Sequence, residues 1–309
     1  MKTASIHSLV LSLSLLLTWT GCQKEPRELP TRGNLVVIST EDIFPIMDAE
    51  VKEFQSMYQE ARVTHLQSTP RDAVAQLLND SVKVITSSRQ FNDDEKAVIA
   101  KYKLEVDTFK VAYEAALVIV NGKNSLTKIK VGELKDVLLG KSRTWRDLGE
   151  TKVSGRIIVA LEKANSGMYD YVKKRITNSK PFADVVYPCS TAADVLSYVA
   201  ANDNAIGFVN QAWVTSVPAN TRILDIGDQG FTRDSTSTTL EYFHPFQAHV
   251  YRGYYPLTRT LYLFSRNAGN GVGIGLTAFM TGAEGQKLFL KHGLVPATMP
   301  VRLVQSEDQ

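Results

Sequence analysis

Hydroxyl side chains recur in this chain where an apolar run gives way to a helical pattern. Ser39-Thr40, Ser68-Thr69 and Ser166-Gly167 each follow a strand-like run and precede helical periodicity. Residues of this kind bring hydroxyls and open backbone N–H groups to helix N-termini, where the helix dipole favours negative charge. Thr86-Ser87-Ser88-Arg89 adds more hydroxyls and a guanidinium, a group that can fork onto an oxyanion. The chemistry implied is recognition of a small anion. Taken singly, each loop reads equally as an ordinary helix cap. Their recurrence at the carboxyl ends of strands is what points to a ligand cleft, because open α/β sheets bind ligands there.

Other reactive residues give weaker patterns. His244 and His249 are five apart with Pro245 between them and no third ligand nearby, so no metal site is expected. Gly269 to Gly275 is glycine-rich but does not match the dinucleotide fingerprint, and no cofactor is expected. No nucleophile-elbow serine is present, and the chain is not expected to be an enzyme. Cys189 reads as a structural thiol, Trp145 and Trp213 as core, and Asp93-Asp94-Glu95 as the acidic start of a helix. A formal net charge of +3, from 35 basic and 32 acidic residues, gives no argument for nucleic acid.

The elements that must position the hydroxyl loops are legible in outline. Leu35 to Ile38 is a buried-strand run. Phe44, Met47, Val51, Phe54 and Tyr58 then recur at helical spacing. Val63 to Leu66 is a second strand. Thr69-Pro70-Arg71-Asp72 opens a helix that continues through Ala73, Leu77 and Leu78, and Val82 to Ile85 is a third strand. Strand, helix, strand, helix, strand argues for a mostly parallel sheet. Ala115 to Val120, Arg156 to Leu161, Ala205 to Val209 and Thr260 to Phe264 are further strands. Val131 to Leu139, the run from Ser166, Val195 to Val199 and Val272 to Leu290 are helical.

The amino terminus carries an export pattern. Lys2 precedes the apolar stretch Leu9 to Leu17, and small residues lead to Cys22. The stretch is far shorter than the roughly 20 residues that span a bilayer. Gly21-Cys22 resembles a bacterial lipoprotein box, with Trp19 standing where an aliphatic residue is usual. That resemblance implies removal of residues 1–21, acylation of Cys22 and attachment to a membrane outside the cytoplasm. The charged, proline-bearing segment that follows reads as a linker over residues 22–33.

Five stretches in order resemble the phosphate-binding proteins of bacterial ABC importers. They are Leu134 to Lys141 with Thr144-Trp145-Arg146-Asp147-Leu148, then Asn165-Ser166-Gly167, then Ala205-Ile206-Gly207-Phe208-Val209. Tyr255-Pro256-Leu257-Thr258-Arg259 and Gly293-Leu294-Val295-Pro296 complete the series. The resemblance implies an α/β protein of the two-lobed periplasmic-binding-protein fold, type II, with a ligand cleft between the lobes. Lobe 1 is expected over 34–112, completed by 247–303, lobe 2 over 113–246, and a tail over 304–309. The lobe-joining strands are expected near 110–117 and 245–252.

Carried over by that resemblance, the ligand-binding residues are Ser39, Thr40, Ser68, Thr69, Arg71, Ser88 and Arg89 in lobe 1, with Ser166, Gly167 and Met168 in lobe 2. Three positions depart from the family pattern. Met168 stands where a threonine is usual, Glu162 where an arginine is usual, and Arg89 where an aspartate is usual. Glu41 adds a carboxylate beside Thr40, and Arg89 is expected to meet Glu162 across the closed cleft. The function implied is a monomeric, lipid-anchored solute-binding protein that closes on phosphate or a related small oxyanion and docks on an ABC permease. The altered charges leave a second reading open, a sensor or scaffold lipoprotein of the same fold with a non-phosphate ligand or a partner protein.

Overall fold

The computed structural model describes residues 28–149, 152–213, 218–234, 239–266, 269 and 271–300. The expected leader, Cys22 and the tail from 304 lie outside the described residues. In the first third, β1 (Gly33–Thr40) passes through a 3-10 turn at Glu41–Ile43 into α1 (Phe44–Met57). There follow β2 (Ala61–Ser68), α2 (Pro70–Leu78), β3 (Val84–Ser87) and α3 (Asp93–Tyr102). Local chemistry sets the helix starts. Thr69 accepts from the Asp72 N–H with Pro70 at the first turn, where a missing N–H costs nothing. Asn92 and Glu95 cap α3 reciprocally.

β4 (Val106–Asn121) is 16 residues long, and every residue from Glu114 to its end is buried. Next come β5 (Lys128–Lys130), α4 (Val131–Leu138), β6 (Ile158–Glu162) and α5 (Gly167–Arg175). They are followed by β7 (Val186–Cys189), α6 (Ala192–Ala201), β8 (Ala205–Asn210), β9 (Thr221–Ile223), β10 (Asp225–Gly227) and β11 (Tyr242–Phe243). The chain ends with α7 (Gln247–Tyr251), β12 (Thr258–Arg266), α8 (Val272–Thr281), α9 (Ala283–Lys291) and β13 (Val295–Pro296).

The strand order is β2-β1-β3-β12-β4-β8-β6-β7, with β9 and β13 also on β4. β1 is parallel to β2 and β3, and β6 is parallel to β7 and β8. β4 and β12 run antiparallel to their neighbours. The first half of β4 pairs with β12 and the second half with β8, so one strand serves both lobes. Each lobe has its own core. One is built on Leu117, Ile119, Trp145, Val159, Val195 and Phe208. The other lies on the two faces of the β1–β3 sheet, around Met47, Phe54 and Phe289 on one and Ile38, Leu77 and Phe264 on the other.

Residues 245–252, expected as a joining strand, form the short helix α7. Pro245 has no N–H for a ladder, while the His249 and Val250 N–H groups turn back onto the Phe246 carbonyl. Val250 is buried in the lobe 2 core. The second passage between lobes is made instead by Pro256 to Thr258. There Ala116 donates to the Leu257 carbonyl at 2.8 Å and Thr258 pairs with Ala115.

Candidate functional site

The carboxyl ends of β1, β3 and β6 meet the N-terminus of α5 at one buried carboxylate, Asp42, on the 3-10 turn after β1. Thr40 Oγ1 donates to Asp42 Oδ1 at 2.7 Å. Ser88 Oγ donates to Oδ2 at 2.5 Å, and Arg259 Nη2 donates to the same oxygen at 2.9 Å. From lobe 2, the Asn210 side-chain amide donates to the Asp42 backbone carbonyl. Gly167 presses the start of α5 against this group so closely that an added Cβ would overlap Asp42 Oδ2 and Ser88 Oγ. A glycine is required there because the Asp42 carboxylate and the Ser88 hydroxyl occupy the space a side chain would need. Ser166 caps α5, accepting from the Tyr169 N–H at 3.1 Å.

Arg259, on β12, is buried completely and serves two carboxylates. Besides Asp42, it donates from Nε to Glu114 Oε1 at 3.1 Å and from Nη2 to the same oxygen. Its guanidinium carbon lies 5.7 Å from the centre of the Tyr171 ring. Burial disfavours the guanidinium charge, but Glu114 and Asp42 more than offset this and hold Arg259 fully protonated. Arg259 Nη1 has no hydrogen-bond partner among the described residues. Burial raises the Glu114 carboxyl, with Arg259 pulling it back down. Glu162, at the end of β6, is pushed up to about 7, first by burial and then by Asp42, with Arg259 and a hydrogen bond to Ser166 opposing.

The sequence-predicted residues divide in space. Thr40, Ser88 and Gly167 converge on Asp42, with Ser166 at the same helix start. Ser68 and Thr69 are half-buried at the start of α2 and Arg71 is exposed. Met168 is buried in the lobe 2 core. Arg89 does not meet Glu162. It forks onto Glu95, through Nη1 at 2.7 Å and Nη2 at 2.8 Å, and its Nε stands 3.8 Å from Asp170 of α5. Glu95 outcompetes Glu162 because it projects from the first turn of α3, six residues away, in bidentate geometry. Asp42, Glu114, Asn210 and Arg259 were not singled out as ligand residues from the sequence. The available signal was Asp42 two residues beyond the Ser39-Thr40 pair, and Arg259 closing the Tyr255-to-Arg259 stretch.

Ser39 lies on the other side of β1. Its hydroxyl is 2.6 Å from His65 Nε2 and 2.6 Å from Thr86 Oγ1, and His65 Nδ1 is 3.2 Å from Asp48 Oδ1. The order is that of a nucleophile, base and orienting carboxylate. Ser39 is 0% exposed, however, and shares its hydroxyl with Thr86, so the array ties the end of β1 to α1. Phe44 stacks on the imidazole at 4.3 Å. Burial lowers His65, with Asp48 opposing, which disfavours the charged imidazolium. His244 and His249 do not converge either. His244 pairs with Asp225, and His249 bonds the His244 carbonyl. Among the described residues no metal-holding cluster occurs, and no helix is long and apolar enough to cross a membrane.

Comparison with known proteins agrees with this architecture. A phosphate-binding protein PstS of Staphylococcus epidermidis is 20% identical over 227 residues, covering 73% of this chain and 66% of the relative. One from Staphylococcus saprophyticus is 22% identical over 223 residues, covering 72% and 66%. The chain thus spans just under two thirds of the length of these curated relatives. An ABC-type phosphate transport receptor from Vibrio cholerae superposes with a TM-score of 0.67 at 16% identity, over 86% of this chain and all of that one. At that identity the likeness speaks for the two-lobed α/β fold. The pattern described as the PBP superfamily domain matches residues 25–283, and the chain therefore belongs to the PBP superfamily.

Proposed function

We propose that this protein is a lipid-anchored extracytoplasmic solute-binding protein of an ABC importer, taking phosphate or a related small oxyanion by hinge closure. The observation that carries the reading is the convergence of lobe 1 donors on one anionic group against which the lobe 2 helix start packs. Two hydroxyls, a buried guanidinium and a helix N-terminus surround the Asp42 carboxylate. Such a set replaces the water shell of an oxyanion. Relatives named as phosphate-binding proteins support the ligand class. Cys22 supplies the anchor and a membrane permease reads the closed form. The mechanism is closure about β4 and the Pro256–Thr258 passage, with no bond made or broken.

Equilibrium dialysis of the refolded, ligand-stripped protein against labelled phosphate tests the reading. Saturable retention, reduced at least about ten-fold in Ser88→Ala by loss of a charge-assisted hydrogen bond, is expected. No retention at millimolar phosphate overturns it.

One observation favours the second reading, a sensor or scaffold of the same fold. The anion enclosed by the cleft is the chain's own carboxylate, with Glu114 and Glu162 close by. A protein that holds itself closed can present its closed face to a partner without any solute.

A further inference from the structure

Asp42 has the contacts that a bound oxyanion would have. Each carboxylate oxygen accepts at least one hydrogen bond, from Thr40 on Oδ1 and from Ser88 and Arg259 on Oδ2. Its side chain is fully buried, as is that of Arg259. The contacts come from both lobes. Thr40 and Ser88 stand at the ends of lobe 1 strands, while from lobe 2 Gly167 packs on the carboxylate and Asn210 donates to the Asp42 backbone carbonyl.

Space and charge both argue that the position holds one anion at a time. Gly167 is in contact with Asp42 Oδ2 and Ser88 Oγ, which leaves no volume for a second group between the lobes. Arg259 already faces Asp42 and Glu114, and Glu162 stands within electrostatic reach of the same cluster. A second anion beside Asp42 would face three carboxylates and one guanidinium at low dielectric, which is strongly unfavourable. If Asp42 withdraws, Ser88, Thr40 and the start of α5 are left without their anion, and Arg259 keeps only Glu114. Hydroxyl, guanidinium and helix N-terminal donors are the kinds that bind an oxyanion.

We propose that Asp42 is a built-in anion, which occupies the oxyanion position, holds the lobes closed without solute and competes with an incoming ligand. The inference rests on the oxyanion reading of the cleft. It makes Asp42 the residue that sets affinity and specificity there. An intramolecular competitor acts at a high effective concentration, so it weakens apparent binding in inverse proportion to the fraction of molecules it leaves open.

The test compares the full-length protein, purified in detergent and stripped of ligand, with Asp42→Ser and with Asp42→Asn. Phosphate and sulfate are titrated by calorimetry, and interlobe distance is read from spin labels on exposed sites of each lobe. Circular dichroism reports folding. The expected result is a short interlobe distance in the wild type without solute. Asp42→Ser is expected to open, to close again on phosphate, and to bind it at least about ten-fold more tightly than wild type. Should the serine variant not fold, Asp42→Asn, which keeps the shape and loses the charge, carries the same comparison. A variant as closed as the wild type that binds phosphate no more tightly overturns the proposal. A variant that opens yet binds neither anion keeps Asp42 as the closing group and defeats the oxyanion reading instead.

Discussion

Asp42 Oδ2 and Arg259 Nη2 lie 2.9 Å apart, with both side chains 0% exposed, and the two residues are 217 positions apart in sequence. The pair links the first turn of the fold to the last long strand. A buried pair of this kind is strongly destabilising to break by removing one partner, because the other charge is left uncompensated. Arg259→Ala would strand Asp42 and Glu114 together. The expected loss is about 3–5 kcal/mol of stability, read by denaturant unfolding. Arg259→Lys keeps the charge but cannot fork, and should recover only part of it.

Gly167→Ala isolates the closeness of the lobes. The added methyl overlaps the Asp42 carboxylate and the Ser88 hydroxyl. Gly167 is not among the positive-φ glycines, so alanine fits the backbone itself. Closure should be impaired, with a cost of about 1–3 kcal/mol and a larger radius of gyration in solution scattering. An unchanged radius would show that the lobes do not meet at this point.

Arg89 illustrates how sequence and geometry part. Its guanidinium is already forked onto Glu95 and stands 3.8 Å from Asp170. Arg89→Ala should therefore change phosphate affinity by no more than about three-fold, with a salt-dependent effect typical of a partly exposed pair. Loss of all binding in that variant would place Arg89 on the ligand.

The loops that approach the cleft were legible because each is local. A hydroxyl pair after an apolar run is visible within a few residues, as at Ser39-Thr40 and Ser166-Gly167. The parallel sheet was legible from strand–helix alternation, and the two lobes only through the family resemblance carried by stretches such as Ala205 to Val209. The centre of the site was not, because Asp42, Glu114, Asn210 and Arg259 meet only through strand order. Nothing in the run Val106 to Asn121 shows that Glu114 faces an arginine 145 residues away. Arg89 was misplaced for the opposite reason. Its true partner, Glu95, is close in sequence, but it looked like an ordinary helix-capping acid.

Glu162 gives the cleft a pH dependence. Its carboxyl is raised from 4.5 to about 7, chiefly by burial. The folded state therefore prefers the protonated form. Its stabilising contribution is fully present below pH 4.5 and is lost as pH rises through 7, a change of about 3 kcal/mol at 1.36 kcal/mol per unit. Glu162→Gln should remove that slope between pH 5 and about 7 in denaturant titrations. A slope unchanged in the variant would mean that another group carries it.

Glu50 makes the same argument in lobe 1, away from the cleft. It is buried on α1, neither carboxylate oxygen has a hydrogen-bond partner among the described residues, and burial raises it to about 9. Its contribution is also present below the unfolded value and declines as pH rises through 9. Glu50→Gln, neutral at every pH, should gain on the wild type steadily from pH 5 to about 9. Thermal melts across that range check it, and a constant difference would contradict it.

The most direct test of the account is a crystal structure of the wild-type protein stripped of solute, grown at neutral pH in a medium without phosphate or sulfate. The account predicts closed lobes, with the Asp42 carboxylate between Ser88, Thr40 and Arg259 and Gly167 in contact with it. An open cleft with Asp42 turned to solvent and Arg259 held by Glu114 alone would contradict it.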